Sequence, residues 1–172
     1  GFNALGTNTT GTRNTAIGTA ALDANTTADN NVALGYNSAT ANTTGATNVS
    51  VGSESFATNT TGASNVALGY GALYSYTTAC NNTAVGRDAL VANTTGSGGT
   101  AVGKGALIAN TTGTDNTAVG SLSLDANTTG ANNAAFGAGA LSENTTASNN
   151  TAVGFYALLS NTTGASNTAV GY

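Results

Sequence analysis

The residues with the most evident chemistry are asparagines in a recurring Asn-Thr-Thr triplet. The triplet has the Asn-X-Thr form that accepts an N-linked glycan in secreted proteins. Its nine copies begin at Asn8, Asn25, Asn42, Asn59, Asn93, Asn110, Asn127, Asn144 and Asn161. The same residues also suit a corner of a stacked fold, where Asn amides bond to one another along the stack. We favour this ladder, because a chain so rich in Asn and Thr forms acceptor triplets by chance, as at Asn48, Asn81 and Asn149.

Groups able to carry out catalysis or to hold a metal are sparse. The chain has no His, and its seven carboxylates form no recurring pair. The single thiol, Cys80, replaces a variable residue in the least regular unit, which indicates a neutral surface substitution or, alternatively, a crosslink within a fibre. We therefore expect no catalytic residue, no metal site and no cofactor, and we predict that the chain is not an enzyme.

The charge balance narrows the range of partners. The net charge is −4, and only Arg13, Arg87 and Lys104 are positive. Such a surface cannot neutralise a phosphate backbone, so we expect no nucleic acid partner. The apolar runs are too short for membrane insertion, and no signal-peptide pattern opens the chain. Because the chain starts and stops within the consensus pattern, without a capping repeat, we expect it to be a window from a longer fibre, with any export signal or assembly domain elsewhere.

These residues all belong to an internal repeat. Gly recurs every 17 residues from Gly1 to Gly171, which makes ten copies of one unit plus the first two residues of an eleventh. With this Gly numbered as position 1, the consensus is G-x-x-A-L-x-x-N-T-T-G-x-x-N-T/V-A-V, without insertion or deletion. Each unit can pack only on its neighbours, so we expect residues 1–172 to form a single repetitive shaft with no domain boundary.

The Gly at position 1 has no exception, and we predict that its role is structural. Either its backbone has a positive φ, or a Cβ there would collide with a neighbouring coil or chain. The residues concerned are Gly18, Gly35, Gly52, Gly69, Gly86, Gly103, Gly120, Gly137 and Gly154.

The repeat predicts strands rather than helices. The strongly apolar positions, 5 and 17, form no stripe at helical spacing, and Asn, Thr and Gly fill many of the others. Positions 14 to 17, as in Asn167–Val170, alternate so that 15 and 17 share one face and the small residue at 16 lies on the other. A second short strand is expected around positions 3 to 6, before Asn-Thr-Thr-Gly turns the chain. Stacked in register, the units give an all-β fold, a parallel β-solenoid of ten 17-residue coils.

Positions 5 and 17 supply the only reliably large apolar side chains of each coil. Ordering a whole coil costs more free energy than burying these two side chains contributes, so hydrogen-bond ladders and contacts with other chains must make up the difference. The sequence therefore favours a homotrimer, or a filament of this same chain. Such an assembly would bury either the small-residue face or the apolar residues at position 17 between copies.

Two stretches, Asn31–Gly35 and Asn65–Gly69, resemble the N-x-V-A-I-G repeats of trimeric autotransporter adhesin heads. The longer stretch Asn150–Gly164 is similar to repeat tracts of phage tail fibres and bacterial surface fibres. The resemblance covers all ten copies. It implies a left-handed parallel β-roll in a threefold bundle, located outside the cell, on a cell surface or on a virion. The period differs, because 17 residues exceed the unit usual in adhesin heads, and Asn-Thr-Thr-Gly looks like an enlarged turn.

Together these features predict an extracellular structural fibre that serves as a spacer or adhesive shaft of a phage tail fibre or microbial surface appendage. Its partners would be copies of itself, with a cell-surface receptor or glycan as a further partner. The alternative is a binding module, either glycan-carrying or ice-binding. The ice-binding hypothesis rests on Thr at positions 9 and 10 of all ten units, since outward Thr columns on a flat solenoid could order water.

Overall fold

Ten short parallel strands in a single sheet organise the fold. The computed structural model describes residues 1–172 and contains no helix that could cross a membrane. The strands are β1 (Thr15–Ile17), β2 (Val32–Leu34), β3 (Val49–Val51), β4 (Val66–Leu68), β5 (Thr83–Val85), β6 (Thr100–Val102), β7 (Thr117–Val119), β8 (Ala134–Phe136), β9 (Thr151–Val153) and β10 (Thr168–Val170). They lie in chain order, and equivalent residues of successive coils pair, as Ala16 does with Ala33. The predicted all-β parallel solenoid is confirmed.

The second strand expected around positions 3 to 6 does not form, and this prediction is wrong. Residues at positions 3 and 5 have positive φ, for example 56° at Ala20 and 51° at Leu22, which is incompatible with an extended strand. The chain instead makes tight turns, such as the one closed by the Ala21 amide, which donates to the Gly18 carbonyl at 3.4 Å. These turns still bond to the next coil, since the Leu22 amide donates to the Ser38 carbonyl at 3.1 Å.

The predicted alternation across the strand is present, and the structure decides between the two faces that the sequence left open. The residue at position 16 points inward, and Ala33, Ala67 and Ala84 are fully buried. Positions 15 and 17 lie on the outward side and are half-buried or exposed, as in β4. Space explains this arrangement, because Leu at position 5 and Asn at positions 8 and 14 already occupy the interior. The small-residue face therefore lines the coil and is not available to another chain.

The core is one cluster of 23 buried apolar residues that runs along the solenoid axis. Most of its large members are leucines at position 5, namely Leu22, Leu73, Leu90, Leu107, Leu124 and Leu141. Two adjacent coils depart from this rule, with Ala39 followed by Phe56. The Phe56 ring packs on the Tyr76 ring of the next coil, with 5.3 Å between centroids. The small residue thus adjoins the large one in the stack, so the interior remains filled.

Candidate functional surfaces

The Gly at position 1 forms a continuous ridge between the strand and the first turn of each coil. From Gly18 to Gly154 its φ lies between 129° and 140°, a region that residues with a side chain avoid. A Cβ added at Gly86 would lie 2.6 Å from the carbonyl oxygen of Gly103 in the next coil. Both physical reasons for an invariant Gly therefore apply here: the backbone conformation and the close approach of the adjacent coil.

Asn at position 14 forms the first of two polar ladders inside the solenoid. Its Oδ1 accepts the backbone amide of the equivalent residue one coil on, as when the Asn48 amide donates to Asn31 at 2.9 Å. Its Nδ2 donates to the carbonyl at position 11 of that coil, as from Asn31 to Gly45 at 2.9 Å. The Gly99 amide donates to Asn82 Oδ1 at 2.7 Å, but Gly99 has no side chain to continue the ladder. Every buried polar side-chain atom of the molecule has a hydrogen-bond partner.

Asn of the Asn-Thr-Thr triplets forms the second ladder. Asn25 Nδ2, for example, donates to Asn8 Oδ1 at 2.8 Å and to the Ala28 carbonyl at 3.3 Å. Asn8 and Asn161 are half-buried, whereas the other seven triplet asparagines are buried. A buried Nδ2 that already donates hydrogen bonds leaves no room for a glycan; each of the buried triplet asparagines donates two except Asn93, which donates only to the Gly96 carbonyl. The folded solenoid therefore favours the ladder over glycosylation at these sites.

Tyr76 takes the place of Asn in the fifth coil and interrupts the second ladder. Its ring is fully buried. Its hydroxyl donates to Asn65 Oδ1 at 2.9 Å and accepts from Asn82 Nδ2, so it connects to the first ladder instead. Burial raises the pKa of this phenol, which keeps its proton available for donation.

The two Thr columns differ in their exposure. At position 9 the hydroxyl donates to the equivalent carbonyl of the next coil, as from Thr94 to Thr111 at 3.0 Å. At position 10 the side chain is exposed in all ten coils, as at Thr95 and Thr112. Because the hydroxyls at position 9 are bonded within the solenoid, only position 10 presents a regular outward Thr column. The surface assumed by the ice-binding hypothesis is therefore reduced to one column.

The residues at positions 15 and 17 of β1–β10 form an outer sheet face. Position 17 is apolar in every strand: Ile17, Leu34, Val51, Leu68, Val85, Val102, Val119, Phe136, Val153 and Val170. Position 15 is Thr, Val or Ala, so neither column has a charge. Phe136 and Val153 are 42% and 38% exposed. Contiguous apolar patches on soluble proteins commonly mark interaction sites, and this face runs along the whole solenoid.

Positions 2, 3 and 6 form a variable corner, where the units differ most. Apart from Phe136, all exposed aromatic residues lie here: Phe2, Tyr36, Tyr70, Tyr74, Phe155, Tyr156 and Tyr172. Six of the ten charged residues also lie here: Asp23, Glu54, Arg87, Asp88, Lys104 and Asp125. The corner therefore carries most of the chemistry that differs from coil to coil.

Two clefts open at the variable corner, each at a coil with Gly at position 3. One, of about 230 Å³, is lined by Glu54, Tyr70, Gly71, Tyr74, Asp88 and Val91. The other, of about 340 Å³, is lined by Ser121, Leu122, Ala138, Gly139, Ser142, Tyr156 and Leu159. Larger residues at position 3 of the coils before and after flank each Gly, which leaves a gap in that column. Neither cleft is predicted from the sequence, and the same flanking pattern at Gly105 produces no cleft.

The remaining reactive groups are not gathered into a site. Cys80 is a free, half-buried cysteine whose sulfur accepts the Ala63 amide at 3.4 Å. No group of three His, Cys, Asp or Glu residues is placed to hold a metal ion. The features with a defined geometry for recognition are the outer sheet face and the two clefts.

Comparison with protein-family models, with curated proteins and with solved structures finds no match to this chain.

Proposed function

We propose that this chain is a segment of an extracellular structural fibre, a spacer or adhesive shaft in which copies of the chain associate through the outer sheet face. The observation that carries the proposal is the uninterrupted apolar column at position 17, which lies on the outward side of all ten strands. Burying this column against another chain removes apolar surface from water. The resulting stabilisation grows with the number of coils, because each coil adds the same contact.

The outer sheet face favours a second copy of the chain as its partner. Its side chains repeat at the strand spacing of about 4.8 Å, so a partner with the same spacing matches it coil for coil. Neither column contains a charge, so two copies can meet without burying an unpaired ion. The Val, Leu and Ile side chains at position 17 suit the interdigitation seen where one sheet packs on another.

We propose a homotrimer located outside the cell, on a cell surface or on a virion. The support is the resemblance of Asn31–Gly35 to the repeats of trimeric adhesin heads, and of Asn150–Gly164 to those of tail and surface fibres. Ten stacked coils extend the chain by about 48 Å at the usual strand spacing. This shape suits a spacer, with a cell-surface receptor or glycan as the proposed further partner.

The test is to replace Val102 and Val119 by Arg in one variant. Both residues lie on the outward side of central strands, β6 and β7, so the single solenoid has room for the longer side chains. The repulsion between the two adjacent charges is also present in the control variant below. In the assembly these charges would be buried without partners. We expect association to weaken by about two orders of magnitude or more, measured by sedimentation equilibrium over a range of concentrations.

The matched control places Arg at Thr95 and Thr112, which lie in the same two coils at the exposed position 10. This variant should associate as the unmodified chain does, and circular dichroism should show β structure in both variants. An unmodified chain that stays monomeric and cooperatively folded at every concentration would contradict the proposed assembly.

A further inference from the structure

We propose that the cleft over Gly71 binds an organic cation, an alkyl or quaternary ammonium group. The cleft is formed by three successive coils and has a volume of about 230 Å³. Two tyrosine rings and two carboxylates contribute to its walls. It shares no residue with the outer sheet face, so the inference is independent of the proposed association.

The tyrosine rings supply the first element of cation recognition. Tyr70 and Tyr74 are 50% and 39% exposed, so their rings are accessible. An aromatic ring attracts a cation over its face, because its quadrupole places negative charge there. Arg87 already makes such a contact, with its Cζ 5.8 Å from the centroid of the Tyr70 ring. The position of the Arg87 guanidinium indicates that a cation can approach the Tyr70 ring.

The carboxylates supply the second element. The Tyr70 hydroxyl donates to Glu54 Oε2 at 3.3 Å, and Arg87 Nε donates to Asp88 Oδ2 at 3.1 Å. Glu54 and Asp88 line the cleft, whereas no cationic side chain does, so the charge of its walls is negative. The negative charge of Glu54 also raises the pKa of Tyr70, because it disfavours a second negative charge on the Tyr70 phenol.

The walls suit an organic cation better than a metal ion or a neutral apolar molecule. No three ligating side chains gather here for a metal. The two rings and Val91 offer apolar surface that a hydrated ion would not use. A neutral apolar ligand would bury the carboxylates without a compensating charge, which is unfavourable. An alkylammonium group can place its alkyl part against the rings and its positive charge near the carboxylates.

The cleft over Gly139 provides an internal comparison. It lies at the same corner and also has a tyrosine, Tyr156, in its wall. Its other lining residues are Ser, Leu, Ala and Gly, so it has no carboxylate. If negative charge together with aromatic rings selects the ligand, this second cleft should not bind an organic cation.

The test titrates three probes into the full chain and follows backbone and tyrosine-ring signals by NMR. The probes are choline, its uncharged isostere dimethylbutanol, and a lysine blocked at both its backbone ends. Choline should shift the signals of Tyr70, Gly71 and Tyr74 saturably, and dimethylbutanol should bind about tenfold more weakly. The signals of Gly139 and Tyr156 should not move. Tighter binding of choline or of blocked lysine would distinguish a free quaternary ammonium from a protein side chain as the natural source.

Two variants sharpen the test in opposite directions. Glu54→Gln should weaken choline binding about fivefold, because it removes one negative charge and retains the shape. Arg87→Gln should strengthen binding, because it removes the cation that now occupies the Tyr70 ring. Glu143→Gln and Arg13→Gln make the same charge changes outside the cleft and should leave binding unchanged.

Three results would overturn the inference: no saturable shift with choline or blocked lysine, equal binding of choline and dimethylbutanol, or equal effects of Glu54→Gln and Glu143→Gln. Association of the chains, measured on the same samples by sedimentation, reports separately on the fibre. A failure of one proposal is therefore distinguishable from a failure of the other.

Discussion

The outer sheet face and the variable corner belong to the same ten coils, yet they differ in how their residues vary. Along the face, position 17 is always apolar and position 15 is never charged. Along the corner, aromatic rings and charges occur in single coils, as with Tyr74 and Glu54. In a stacked fold, a residue repeated in every coil becomes a continuous surface, and a residue used once becomes a local site. The face is thus suited to association along its length, and the corner to individual ligands.

The same difference explains where charge is tolerated. A charge repeated at position 17 would form a column of like charges at strand separation, which is destabilising. At the corner, only Arg87 and Lys104 bring like charges to the same position of adjacent coils, and Asp88 pairs with Arg87. Because the corner residues vary from coil to coil, charged side chains are tolerated at the corner, whereas a charge repeated along the sheet would be destabilising.

The largest expected effect comes from the glycine ridge, which separates the two surfaces. Replacing both Gly86 and Gly103 by Val forces side chains onto φ values of 134° and 138° and against the next coil's backbone. We expect the pair to cost at least about 4 kcal/mol of unfolding free energy, and to disrupt face and corner together. Urea unfolding followed by circular dichroism would measure this loss.

The matched control for the ridge is Gly105→Ala. Gly105 has φ of 63°, and Ala20 occupies the equivalent position of another coil with φ of 56°. We expect a loss of about 1 kcal/mol or less. Losses of similar size at the ridge and at Gly105 would show that the ridge has no special requirement for Gly.

An intermediate effect should distinguish the inside of the strand from the outer sheet face. Ala101 is fully buried, so Ala101→Val overpacks the coil and should cost about 1 to 3 kcal/mol. Its neighbour Val102 lies on the outward side, so Val102→Ala should cost less in the unassociated chain. Thermal unfolding at low concentration would compare the two variants. Greater sensitivity at Val102 would mean that the strand faces the other way.

The smallest effect concerns the first Asn ladder and is a gain. Gly99→Asn restores the side chain missing from that ladder and also reduces the freedom of the unfolded chain. A Cβ at this position would lie 2.8 Å from Asn82 Oδ1, so the Asn82 amide must shift both in this variant and in the Gly99→Ala control. We therefore expect a stabilisation of at most about 1 kcal/mol for Gly99→Asn. Gly99→Ala adds the Cβ without the amide, so the difference between the two variants isolates the ladder. No difference in their unfolding midpoints would show that the restored amide contributes nothing.

Much of the fold follows from the repeat alone. Identical units can bond only to their equivalents, so the period predicts parallel stacking in register, and the alternation places the strand at positions 15 to 17. The missing second strand has no such signal. Leu22 with φ of 51° is a conformation that leucine seldom adopts, and it is held here by hydrogen bonds to the next coil. The local preference of leucine favours an extended backbone at this position, but the hydrogen bonds between stacked coils stabilise the left-handed conformation instead.

By itself, the sequence determined that the coils stack, and that positions 15 and 17 share one side of each strand. Only the tertiary structure decided which side faces inward, because the alternation is the same in either orientation. In the seventh coil, the interior already holds Leu107, Asn110 and Asn116. The space that remains admits Ala118, and the larger Val119 is turned outward. The cleft over Gly71 depends on the stack in the same way, because its walls come from three successive coils, whose equivalent residues are brought together only when the coils stack.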